Sequence, residues 1–146
     1  MVRGIVLLLI FSPFLWSCAG SKGNPHNYEL SVEQANEAFN IYKSGDYAEA
    51  VRQYEFLTSK VPNDANFWFC LGNSYLKNKQ PGPAAMAYEN VLIRDAKHSK
   101  AWYNLGVLHL QEALRVFVDM QENLEADDPI RQAGEKKIEG LLEFMK

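Results

Sequence analysis

The sequence predicts an all-α fold in which antiparallel helical hairpins stack as a short solenoid and a longer helical hairpin caps the C-terminal end. Three observations carry this. A segment nearly repeats after 34 residues: Ser31–Asp64 reads SVEQANEAFNIYKSGDYAEAVRQYEFLTSKVPND and Ala65–His98 reads ANFWFCLGNSYLKNKQPGPAAMAYENVLIRDAKH. A third copy opens at Ser99 with SKAWYNLGVLHL. Apolar residues within each copy recur three and four apart, and glycine or proline punctuates the joints. A fixed period of this size marks stacked supersecondary units, each too small to bury its own apolar face.

The first unit opens with Ser31 and Gln34, spaced as a capping box, so its first helix is predicted to start at Val32. Ala35, Ala38, Phe39 and Tyr42 give it an apolar stripe, and Gly45 is placed to end it in a left-handed conformation. Asp46 and Glu49 form a second capping box. Ala50, Tyr54 and Leu57 then mark the inward stripe of a second helix, which ends before Pro62.

In the second unit Trp68, Leu71, Gly72 and Tyr75 lie on the packing side of the first helix, and Ala84, Tyr88 and Val91 on that of the second. A side chain at Gly72 would push the two helices apart. Gln80-Pro81-Gly82-Pro83 replaces the Gly45-Asp46-Tyr47 joint. Proline is tolerated in a first turn, so this is expected to shorten or re-aim the second helix without forbidding it. Beyond Leu110 no turn appears. Trp102, Leu105, Leu110, Leu114, Phe117, Met120, Gln121 and Leu124 predict one helix from about residue 100 to 125. Asp128-Pro129 reads as the cap and first position of a last helix, striped by Ile130, Ala133, Ile138, Leu141, Leu142 and Met145. This pair is read as an enlarged terminal cap, with a dimerisation hairpin as the rival reading.

These residues resemble the tetratricopeptide repeat (TPR) family. Trp68, Leu71, Gly72, Tyr75, Ala84 and Tyr88 hold its signature spacing in the second unit; Gly45, Asp46, Tyr47, Ala50, Tyr54 and Pro62 do so in the first. Trp102, Leu105 and Gly106 match in the third. The first unit has Gln34 and Glu37 in place of the early Trp and Leu, and Ala96 replaces a terminal proline. The resemblance covers residues 31–112 and implies a right-handed solenoid whose first helices line a concave groove for a peptide or partner helix. It places Tyr42, Lys43, Phe69, Asn73, Lys77, Lys100, Tyr103 and Asn104 in that groove, with Ala35, Phe39, Leu76 and Val107 beside them. Chaperone-binding relatives grip a terminal carboxylate with Lys and Asn. Lys100 and Asn104 suit that clamp, but Ala35 and Phe39 stand where it needs lysine and asparagine. That ligand is therefore not expected.

Residues 1–17 carry Arg3 and then the apolar run IVLLLIFSPFLW, the length of a signal-peptide core and too short for a comfortable membrane span. Leu15-Trp16-Ser17-Cys18 resembles the bacterial lipobox, in which a lipoprotein signal peptidase cuts before a diacylated cysteine. Trp16 departs from the smaller residue the pattern prefers. Cys18 is thus the expected lipidation site. Ala19, which is not the aspartate associated with inner-membrane retention, favours the periplasmic face of the outer membrane. Residues 18–30, with AGSKGNPHNYEL after the cysteine, read as a flexible tether reaching at most about 40 Å. Residues 31–146 then form the repeat domain.

The formal charge of −3 is mild, and no Lys/Arg run offers a footprint for nucleic acid. Cys70 reads as a small helix-packing residue, since no Cys/His motif surrounds it. His26, His98 and His109 lack metal-ligand spacing, Asp127-Asp128 reads as a capping turn, and no phosphate-binding glycine loop is present. No metal, cofactor or catalysis is expected. The function read from the sequence is a membrane-anchored, non-catalytic scaffold in the bacterial envelope. The alternatives are a pilotin-like assembly factor for a pilus or secretion system, an accessory subunit of a cell-wall enzyme, and a homodimer built through residues 113–145.

Overall fold

The computed structural model describes residues 25–144, so the leader at 1–17 and Cys18 lie outside the described residues. Six α-helices and no strand make up the described part: α1 (Pro25–Ser44), α2 (Tyr47–Lys60), α3 (Ala65–Lys77), α4 (Pro81–Arg94), α5 (Ser99–Asn123) and α6 (Pro129–Phe144). Each helix packs chiefly on its neighbours in sequence, giving stacked antiparallel hairpins.

Helix α1 begins at Pro25, not Val32, so residues 25–30 of the expected tether are helical and Ser31 lies inside the helix. Proline suits a first helical position, and nothing from His26 to Leu30 breaks a helix. Gly45 ends α1 with φ of 92°, the left-handed conformation that its missing side chain allows. Asp46 then accepts from the Glu49 amide at 3.0 Å. Only this half of the expected capping box forms, because the Glu49 carboxylate accepts from Gln53 at 2.6 Å and pairs with Arg52.

Asp64 caps α3, accepting from the Asn66 and Phe67 amides at 2.8 and 3.4 Å. His98 caps α5 through Nδ1, which accepts from Ala101 at 3.1 Å. Asp128 caps the last helix as expected, accepting from Ile130 at 2.7 Å. The Pro81-Gly82-Pro83 opening does not shorten α4, which has 14 residues like α2. Its missing proline amides fall among donors that a first turn leaves unpaired in any case.

Two apolar clusters form the core. Ala38, Val51, Tyr54, Leu57, Phe67, Leu71 and Ala87 make one; Ala84, Tyr88, Val91, Ala101, Leu105 and Leu108 make the other. Trp68 and Tyr75 pack against both and join them. The expected inward residues of α2 and α4 are all buried, each large side chain contributing about 1.5–3 kcal/mol. Gly72 lies against the Tyr88 ring, whose Cε1 would stand 2.7 Å from an added Cβ.

The third unit departs from this pattern. Leu105 is buried, but Trp102 is 56% exposed, and among the described residues nothing lies within 4 Å of a Cβ placed at Gly106. Helix α5 runs straight past the point where a second helix would fold back, so these two residues lack the partner that Trp68 and Gly72 have.

Burial pushes the phenols of Tyr54, Tyr75 and Tyr88 up, Tyr75 to about 12 with help from its hydrogen bond to Glu55. An unfolded tyrosine ionises near pH 10, while the folded ones stay protonated. The stability this gives is complete below pH 10 and is lost as pH rises towards 12. Thermal melts are expected to hold steady to pH 10 and fall steeply above it; a flat profile from pH 9 to 12 would contradict this.

Candidate functional site

The side chains expected in the groove come from α1, α3 and α5. Phe39 and Tyr42 of α1 line a shallow depression with Cys70 and Asn73 of α3 and Tyr54 of α2. Asn73 then accepts from the buried Tyr88 hydroxyl at 2.8 Å, and Asn104 of α5 faces the same hydroxyl. Burial is the larger influence on that phenol and raises its pKa, with Asn104 opposing it.

The eight candidate groove residues divide by what already holds them. Phe69 is half-buried, 4.7 Å between ring centroids from His98 and 5.8 Å from Tyr88. Together with Asn73 and Asn104, it braces the repeat joint. Tyr42 stands between the two groups: its ring meets Tyr47 edge-on at 5.4 Å, and its other flank borders the depression. Lys43, Lys77, Lys100 and Tyr103 are exposed, Tyr103 by 73%. Lys43 places its Nζ 5.6 Å from the Phe39 centroid, and Phe39 is itself half exposed. The face thus offers two open aromatic rings and three lysines above a partly apolar floor. Such a surface suits an extended chain or helix bearing apolar and anionic groups.

Cys70 is a floor residue that the sequence reading assigned only to packing. Its place three residues before Asn73 on α3, one turn along the same face, is the signal that marks it. Burial raises its thiol pKa, against the lowering effect of the adjacent Tyr54 hydroxyl. Thiolate is therefore scarce at neutral pH. In a Cys18→Ser chain, Cys70 is expected to react with a disulfide reagent far more slowly when folded than in urea; equal rates would overturn this placement.

Among the described residues, no three His, Cys, Asp or Glu side chains group to hold a metal ion. No described helix is long and apolar enough to cross a membrane.

The period, the hairpin stack and the open first-helix face define a class of helical-repeat interaction module. The tetratricopeptide repeat model matches residues 42–90 and 71–126, and the chain belongs to that family. Among solved structures it is similar to the first TPR of Spaghetti (RPAP3) bound to the HSP90 peptide SRMEEVD, with a TM-score of 0.55 and 16% identity. That likeness covers 79% of this chain and 92% of the other, and it shows the fold. No curated protein matches the chain.

Proposed function

We propose that this protein is a lipid-anchored adaptor of the bacterial cell envelope that holds a segment of a partner protein in its concave groove without catalysis. The observation that carries this reading is the open face itself: Phe39 and Tyr103 expose half or more of their area beside Lys43, Lys77 and Lys100. The similar TPR of Spaghetti is bound to a peptide, which supports groove binding as the mode. The incomplete clamp, with Ala35 and Phe39 in place of lysine and asparagine, argues for a ligand other than a chaperone tail. Affinity would come from ring burial and a few charge-assisted contacts.

The lipobox-like Leu15-Trp16-Ser17-Cys18 supports anchoring, with Ala19 favouring the outer membrane. Several acyl chains at about 0.8 kcal/mol per buried methylene suffice without a membrane span. A photo-crosslinking residue at Tyr103 or Lys77, used in cells and read by mass spectrometry, tests both parts. A defined envelope partner is expected, and its recovery is expected to fall in the Cys18→Ser chain. No crosslink from either position would sink the groove reading, and undiminished recovery with Cys18→Ser would sink the anchor.

A further inference from the structure

The open side of α5 is a continuation of an interface already in use. Phe117 and Met120 receive α6 at Gly134, whose missing side chain lets the helices come close. Arg131, Glu135, Ile138 and Leu141 mark the rest of the α6 face that is half-buried. Towards its N-terminus the same stripe of α5 continues through half-buried Leu110. One and two turns further along that same stripe of α5 come Gly106 and Trp102, the first with empty space above it and the second largely exposed.

The second repeat shows what this surface accepts. There α4 lays Tyr88 over Gly72 and the Arg94 guanidinium over Trp68, 4.7 Å from the ring. The Pro62 carbonyl accepts from the Trp68 indole at 2.8 Å and also from Arg94. In the third unit the indole is held in the same way, Trp102 donating to the Ala96 carbonyl at 3.0 Å. Ring, carbonyl and glycine are in register, but among the described residues no guanidinium and no tyrosine fill the places beside them.

We propose that the N-terminal half of α5 is a second docking surface, taking a short amphipathic helix of a partner protein that carries an arginine nearly two turns after an aromatic residue. The aromatic ring covers Gly106, and the arginine stacks on Trp102 and donates to the Ala96 carbonyl. A second copy of this chain is poorly suited to the place: the helix with that spacing is α4, and its Tyr88 is already fully buried. The surface is distinct from the concave groove, so this inference stands apart from the envelope reading.

The test uses the full chain in detergent micelles, with fluorine-labelled tryptophan at Trp16, Trp68 and Trp102. The probe is a side-chain-crosslinked helical peptide with the sequence of residues 81–94, PGPAAMAYENVLIR. The Trp102 resonance is expected to shift while Trp68 stays still. Replacing the tyrosine or arginine in the probe (Tyr88→Ala or Arg94→Ala) is expected to weaken binding about tenfold. Gly106→Leu in the chain is expected to abolish the shift; if that variant fails to fold, Trp102→Ala, read by fluorescence anisotropy of a labelled peptide, replaces it. The proposal is overturned if Trp102 is unmoved at millimolar peptide, if Trp68 moves instead, or if the alanine peptides bind equally well. It also fails if Trp102 shifts with chain concentration alone, which would seat a second copy there. A shift of Trp102 in a Met145→Ala chain would give the place to this chain's own last residues and end the proposal as well.

Discussion

Replacing Tyr88 by alanine is expected to lower unfolding stability by about 3–5 kcal/mol, a large fraction of the total for a domain of this size. The ring is fully buried; it lies on Gly72, packs beside Phe69 and belongs to the cluster that ties α4 to α5. Its loss removes apolar contact and opens a cavity that rigid helix joints cannot close. Tyr88→Phe keeps the ring and loses only the hydroxyl's contacts with Asn73 and Asn104, so about 1 kcal/mol is expected. Urea denaturation of both variants separates the two contributions. Equal losses would show that the hydroxyl, not the ring, governs the joint.

The two repeat glycines are expected to respond to alanine in opposite directions. Gly72→Ala sets a methyl 2.7 Å from the Tyr88 ring, within a joint where no flexible end can give way. Overpacking of this kind costs about 1–3 kcal/mol. Gly106→Ala meets no described atom, and alanine gains up to about 1 kcal/mol over glycine inside a helix. Urea midpoints are expected to fall for the first and rise for the second. A fall in both would mean that the face above Gly106 is already occupied in the free protein.

Much of the fold could be read from the sequence because the repeat states its own geometry twice. Ala50, Tyr54, Leu57, Ala84, Tyr88 and Val91 were expected inside and are buried, since helix packing depends on periodicity more than on context. The start of α1 was misplaced because Ser31 and Gln34 imitate a capping box within a stretch that continues as a helix. Trp102 was expected on a packing stripe and is largely exposed, because its cover would have to come from a helix that this unit does not fold back at that point.

The groove was legible as a set of positions, less so as a division of labour. Residue type marks Asn73 and Asn104 as polar groove residues, yet both turn towards the Tyr88 hydroxyl. That contact lies between residues far apart in sequence, and no local pattern encodes it. Lys77, Lys100 and Tyr103 stay open because no described side chain is placed to hold them.

Helix α5 has a mechanical consequence. Its 25 residues run without interruption from the groove to the terminal hairpin, a rod of about 37 Å. A loop at the usual joint would absorb displacement; a continuous helix transmits it. Whatever the groove grips at Tyr103 is therefore held at a fixed distance and bearing from the α6 end, and a pull on one end of this rod is felt at the other.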